Sequence, residues 1–271
     1  LIFSKNIFAV QIYDYHTEEF INKMNAEILT VNSYNKKIFF KIYKDDFPNA
    51  YVTEDNIIYL SSGLLSYSPN YVALLGVLAH EIGHLEKYHV SKRKTEIENL
   101  TNISTYSNLA AVVGSMIIQE PNIMNAIVVN QTAVNNLFIN FSQEQEIEAD
   151  FYAIETINKL KLPTDPVKEF LLILENKTGA NLIDEELKKF STHPIFETRY
   201  EIIDNNTNGN IYNFNKNYQR EFDFIQAKFM AYTESGMISK LKEDQKIYYD
   251  SIQLSKSGNL LQSLKKINFL I

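Results

Sequence analysis

Residues 77–90 read VLAHEIGHLEKYHV, and this run holds three of the chain's five histidines and two glutamates among mostly apolar neighbours. Titratable groups stand in so greasy a run only where something pairs with them. On a helix, His80 and His84 are four residues and about 40° apart around the axis, so both project from one face. Two imidazoles one turn apart can grip one Zn²⁺, and Glu81 between them can reach a water on that metal, which is the HExxH arrangement. His89 lies five residues past His84, about 140° around a continuous helix, and so points away from such a metal. It is expected at the surface or the helix end, easing the C-terminal dipole.

Zinc chemistry wants a third protein ligand and one open position. The chain has no cysteine, so the candidates are the remaining histidines and the carboxylates. Glu146 is the best of them. It belongs to SQEQEIEADFYAIETINKL (142–160), a helix opened by a capping box of Ser142 and Gln145 and closed by Pro163. Asp150 follows one turn later on the same face, placed to accept the second N–H of a metal-bound histidine.

The rest of the chain bounds what such a site can belong to. Its 271 residues suffice for one large domain, or one domain and a smaller appendage, and 45% hydrophobic residues supply a core. A net charge of −7 and the lack of a basic stripe argue against a nucleic-acid partner. A structural zinc protein is disfavoured as well, because such sites are closed by four ligands, mostly cysteine. The longest mid-chain apolar run, LAAVVGSMII (109–118), has ten residues, where a bilayer span needs about 20. The first residue is Leu1 rather than Met, from which we expect a removed leader and an extracytoplasmic location, periplasmic or membrane-associated.

Periodicity predicts an amphipathic helix over 13–31 and strands at KIFFKIY (37–43) and NAYVTEDNIIYLSSGLL (49–65), the latter a hairpin around a polar TED turn. A core helix over 68–89 follows, with Ser68 as N-cap and Pro69 at its first position. Further helices are expected over 95–139, broken near Pro121, then around 166–176, and from Pro194. DNNTNGN (204–210) reads as a boundary between a domain over 1–205 and a helical segment over 211–271. Within that segment, KIYYDSIQLSKSGNLLQSLKKI (246–267) resembles one tetratricopeptide unit, with Gly258 at the turn and Ser263 at the small-residue position. The fold class is therefore α+β: mainly helical, with a small β-sheet and a helical C-terminal segment.

Four stretches in one order carry a family resemblance: NAYV (49–52) with IYLSSGLL (58–65), GVLAHEIGHLEKYH (76–89), SQEQEIEAD (142–150) and THPIFETR (192–199). With them the chain resembles the HtpX/BepA-like gluzincin metallopeptidases, the group that includes the CAAX prenyl-protein endopeptidases. The resemblance covers about residues 10–205 and implies a zincin-like fold. It implies His80, His84 and Glu146 as the ligands of one zinc ion per chain, and Glu81 as catalytic base. His193 and Arg199 match the family's downstream histidine and its accompanying arginine. The family's usual Ser-Arg is Ser142-Gln143 here, which removes a positive charge outside the ligand set.

In the activity so implied, Glu81 takes a proton from water attacking a peptide carbonyl and delivers it to the leaving amine. His193 is open to three readings: a donor to the oxyanion, a helix N-cap beside Pro194, or a fourth ligand that holds the enzyme shut. Arg199 is expected to pair with a carboxylate such as Asp150. Asn49, Ala50, Tyr51 and Val52 form a candidate edge strand to which an extended polypeptide could add. The expected function is a zinc endopeptidase acting on unfolded or misassembled proteins. The alternative is a chaperone-like assembly factor with suppressed proteolysis, meeting a protein partner through its C-terminal helices, with peripheral membrane association as a further expectation.

Overall fold

The computed structural model describes residues 10–101, 141–181, 193, 197–207, 213–234 and 236–270. The chain begins with β1 (Gln11–Ile12) and α1 (Tyr15–Val31), followed by β2 (Phe39–Tyr43), β3 (Ala50–Val52) and β4 (Ile57–Ser61). Helices α2 (Ser62–Tyr67), α3 (Tyr71–Glu86) and α4 (His89–Thr101) come next. Then follow α5 (Gln143–Lys159), α6 (Asp165–Asn181), α7 (Glu197–Asn205), α8 (Lys216–Thr233), α9 (Glu243–Lys256) and α10 (Leu260–Ile267). The fold is mainly helical with a small four-stranded sheet, as expected.

The sheet has the order β1-β2-β4-β3. β2 runs parallel to β4, with Lys41 opposite Tyr59, while β1 and β3 are antiparallel to their neighbours. Period-two alternation sends Ile42, Ile58, Leu60, Ala50 and Val52 into the core. The opposite face carries Tyr43, Tyr51 and Tyr59, the last two stacked with centroids 4.9 Å apart. β3 and β4 form the expected hairpin, and β3 is the edge strand among the described residues.

α3 is the central post. Val72, Leu74, Leu75, Leu78, Ala79 and Ile82 are fully buried, which is why the helix is apolar on nearly every side. Around it, α1, α5 and α6 give Phe20, Ile157 and Phe170 to one continuous core, to which α8 adds Phe222, Ile225 and Phe229. Each such side chain contributes roughly 1.5–3 kcal/mol by leaving water. Gly83 lets α5 approach closely, since a Cβ there would lie 3.1 Å from Ala149 Cα.

Two local expectations are corrected. The stretch SGLL (62–65) is helical rather than extended, because Ser61 caps α2 by accepting from the Leu64 N–H at 2.9 Å. Ser68 is not the N-cap of α3 and Pro69 is not its first residue. The Ser68 hydroxyl donates back to Leu64 O at 2.8 Å, closing α2. Asn70 caps α3 instead, its Oδ1 accepting from Val72 N–H at 2.9 Å and Ala73 N–H at 3.1 Å. The helices expected over 95–139 fall outside the described residues beyond Thr101, as does the helix start at Pro194. In the C-terminal segment, α9 and α10 form a helical hairpin turning at Gly258 (φ +83°), with Ser251 and Ser263 hydroxyls 3.1 Å apart at the crossing.

Candidate metal centre

α5 starts where its capping box dictates: Ser142 N–H donates to Gln145 Oε1 at 2.9 Å, and Gln145 N–H to Ser142 Oγ at 3.2 Å. With α5 pressed onto α3 at Gly83, Glu146 and Asp150 face His80 and His84. The potential ligand atoms of His80, His84, Glu146 and His193 all lie within 4.8 Å of one another. His80 Nε2 is 3.1 Å from His84 Nε2, 3.3 Å from His193 Nδ1 and 3.4 Å from Glu146 Oε2. Glu146 Oε1 is 3.5 Å from His84 Nε2 and 3.0 Å from His193 Nδ1.

These separations suit a small tetrahedral ion. Metal–ligand bonds of about 2.0–2.1 Å at tetrahedral angles put neighbouring ligand atoms about 3.3 Å apart. The donors are three imidazoles and a carboxylate, which suits zinc. Beside them Glu81 Oε1 is 3.2 Å from His193 Nε2, while Glu81 Oε2 is buried without a hydrogen-bond partner among the described residues. A buried carboxylate oxygen in that condition is placed to accept from a water molecule or substrate in the site.

Behind the cluster, His80 Nδ1 lies 2.8 Å from Asp150 Oδ1. Arg199 donates to both Asp150 oxygens, from Nε at 2.6 Å and Nη2 at 2.7 Å, and its Nη1 is 3.1 Å from Glu146 Oε2. Burial by itself would raise the pKa of Glu146, but His193 and Arg199 hold it well below the usual carboxylate range. Burial acts the same way on Asp150 and is likewise overcome, by Arg199 and His80. His84 is pushed well below the ordinary imidazole value by burial and by His80 beside it. Burial would lower His80 too, yet hydrogen bonds to Asp150 and Glu146 raise it to about 9. His84 neutral and Glu146 ionised are the forms in which each can bind a metal, whereas His80, a cation at neutral pH without an ion, gives up its Nε2 proton on binding one.

The structure thus brings together His80, Glu81, His84, Glu146, Asp150, His193 and Arg199. Of the strand residues, Asn49 and Ala50 border the cavity that holds Glu81 and His193, whereas Tyr51 stacks on the outer face and Val52 is in the core. The expectation for His89 is corrected. It is buried, not a surface residue, because α3 ends at Glu86 and Tyr88 takes a left-handed conformation (φ 58°) before α4 starts at His89. The chain break swings the ring back, so that His89 Nδ1 is 3.0 Å from His84 Nδ1 and Nε2 is 2.8 Å from Glu148 Oε2.

Sequence reasoning also missed Phe141, whose ring stacks on His84 at 3.7 Å, and Arg93, whose guanidinium lies 3.9 Å from the centre of that ring. Glu148 was visible within EIEAD, two residues from Glu146, but its partner depends on the turn at Tyr88.

Comparison with known proteins agrees with this geometry. The chain is 24% identical over 201 residues to the beta-barrel assembly-enhancing protease of Yersinia pestis, covering 74% of this chain and 41% of that protein. It is 24% identical over 182 residues to the protein of the same name from Escherichia coli (strain K12), covering 67% of this chain and 37% of the relative. The chain therefore spans about two fifths of the length of these relatives. The model for peptidase family M48 matches residues 17–207, taking in the histidine pair on α3, the acidic face of α5 and Arg199 on α7, and the chain belongs to that metallopeptidase family.

Proposed function

We propose that the chain is a zinc-dependent endopeptidase that hydrolyses unfolded or misassembled polypeptides, with His80, His84 and Glu146 as zinc ligands, one ion per chain. The observation that carries this reading is the convergence of those ligand atoms at tetrahedral spacing beside Glu81 Oε2, which has no hydrogen-bond partner among the described residues. Bound zinc would supply Lewis acidity and lower the pKa of a water towards about 7. Glu81 Oε2 takes the proton of the attacking water and returns it to the leaving amine. With the metal bound, Asp150 would accept from His80 Nδ1–H and keep the Nε2 lone pair on the site, and Arg199 holds Asp150 in place.

The substrate would add to β3. Asn49 and Thr53 bond across to β4, as Ser61 N–H donates to Asn49 O and Thr53 N–H to Ile57 O. By the antiparallel alternation, the backbone groups of Ala50 and Val52 face away from β4, towards an incoming strand. The adjoining cavity, walled by Ala50, Val77, Ile154, Val167, Phe170 and Leu171, suits an apolar side chain. Main-chain pairing of this kind tolerates many sequences, as quality control requires. The relatives' name, beta-barrel assembly-enhancing protease, supports a role of that kind in an extracytoplasmic compartment, with peripheral membrane association as part of the proposal. Among the described residues, no helix is long and apolar enough to cross a membrane. A unit over 1–205 would carry the peptidase and 211–271 a partner-binding unit; α8 is anchored in the core, so the α9–α10 hairpin is the part presented to a protein partner.

A second reading has its own observation. His193 Nδ1 lies 3.0 Å from Glu146 and its Nε2 3.2 Å from Glu81, so the ring fills the place of a fourth ligand and covers the base. In this form the chain would be a chaperone-like assembly factor with proteolysis suppressed until His193 leaves. Casein cleavage and zinc content of the wild type and Glu81→Gln test the leading reading: zinc kept and cleavage abolished supports it, and cleavage retained by the variant contradicts it. A gain in cleavage on His193→Ala supports the latch, and a loss makes His193 the oxyanion donor.

A further inference from the structure

We infer that His89, with Glu148 behind it, is a positioning residue that fixes the ring and tautomer of His84 so that its Nε2 lone pair faces the metal centre. The inference rests on the metal-site reading above. His80 receives this service from Asp150 directly, at 2.8 Å. On the far side of His84 the carboxylate is Glu148, acting through a second imidazole: Glu148 Oε2 to His89 Nε2 at 2.8 Å, then His89 Nδ1 to His84 Nδ1 at 3.0 Å.

The proton positions along this chain follow from its exposed end. The Glu148 side chain is 54% exposed, and an ionised carboxylate only accepts, so His89 Nε2–H donates to it. Neutral His89 then offers Nδ1 as acceptor, and His84 must place its own proton on Nδ1. That leaves His84 Nε2 free of hydrogen, directed at His80 and Glu146. The other tautomer would aim an N–H into the ligand set and leave two lone pairs facing each other between His84 and His89. Phe141, stacked on one face of the ring with an interplanar angle of 20°, limits its rotation but says nothing of the tautomer.

The backbone bears out how much arrangement this takes. Tyr88 adopts a left-handed φ of 58°, uncommon for a bulky residue, and without that break His89 would lie about 140° around the helix from His84. Strain of this kind persists only where surrounding structure holds it. Here it delivers a buried imidazole with both nitrogens engaged.

The test is zinc affinity of the full chain, by competition with a chromophoric chelator, for the wild type, His89→Leu, His89→Gln and Glu148→Ala. The NMR signal of His84 Nδ1–H in the zinc-loaded protein is the second readout. His89→Leu fills the space without an acceptor and is expected to weaken zinc binding about 10–100-fold and to expose the Nδ1–H to exchange. His89→Gln, whose amide oxygen can accept, regains the larger part of both. Glu148→Ala changes a half-exposed side chain and is expected to weaken zinc in the same direction by less. Unchanged affinity in His89→Leu or in Glu148→Ala overturns the inference while leaving the metal site standing. A wild type that binds no zinc removes the site reading and this inference with it.

Discussion

Arg199 grips Asp150 with two parallel contacts, Nε to Oδ2 at 2.6 Å and Nη2 to Oδ1 at 2.7 Å, and Asp150 in turn fixes Nδ1 of His80. The pair ties α7 to α5 and α5 to the histidine helix in one buried unit. A fork of guanidinium against carboxylate sets the carboxylate's orientation as well as its charge.

Breaking that fork should be costly in two ways. Arg199→Ala removes from two buried carboxylates the guanidinium they share and is expected to destabilise the fold by about 3–5 kcal/mol in urea unfolding. Zinc affinity should fall with it. Arg199→Lys keeps the charge without the fork and should recover only part of each loss.

Gly83 is the contact that lets the two ligand helices meet. An added methyl would lie 3.1 Å from both Ala149 Cα and Tyr152 Cβ, closer than ordinary contact. Gly83→Ala should therefore push α5 outward, cost about 1–3 kcal/mol, and weaken zinc through Glu146. Chelator competition would reveal the second effect, and a variant with wild-type zinc affinity would show that the helix crossing does not set the ligand distances.

The left-handed turn at Tyr88 gives a prediction with opposite signs. Tyr88→Gly suits φ 58° and should leave zinc affinity intact, with stability equal to or above that of the wild type. Tyr88→Pro, locked near −65°, cannot make the turn and should displace His89 and lower both stability and zinc affinity. Thermal unfolding with and without zinc distinguishes the two.

Acid dependence can be read at the start of α1. Asp14 caps that helix by accepting from Thr17 N–H at 2.9 Å and pairs with Lys228 at 2.6 Å. Burial would raise its pKa, but the Lys228 and Thr17 hydrogen bonds outweigh this and hold it below the ordinary 3.8. A lowered carboxylate stabilises the fold fully above its ordinary pKa, and the contribution fades as pH falls through the native value. Asp14→Ala should cost about 1–2 kcal/mol at pH 7, most of it the cap. The gap between wild type and Asp14→Asn, which keeps the cap but not the charge, should shrink below pH 3.8.

Much of this arrangement was legible in the sequence because short-range periodicity governs it. His80 and His84, the Ser142–Gln145 capping box, and Glu146 with Asp150 depend only on helical spacing, and each pair came out on one face. The β3–β4 hairpin followed from alternation around a polar turn. What escaped depends on competition or on tertiary approach. Ser68 and Asn70 are both good caps, and the choice went to Asn70 because the Ser68 hydroxyl was engaged by the preceding helix. His89 was misplaced because a helical wheel assumes an unbroken helix, and no Gly or Pro announced the turn at Tyr88. The reach of α8 into the central core, through Phe222 and Phe229, was likewise invisible to local pattern.

The most direct measurement is a zinc K-edge absorption spectrum of the zinc-loaded chain, taken beside the same spectrum for Glu146→Ala and His193→Ala. One zinc per chain is expected, with nitrogen and oxygen ligands at about 2.0–2.1 Å. The spectrum should lose an oxygen ligand in the first variant; in the second it should keep both imidazoles under the leading reading and lose one under the latch reading. A chain that retains no zinc, or one whose zinc environment is the same in Glu146→Ala as in the wild type, would contradict the metal centre on which the account stands.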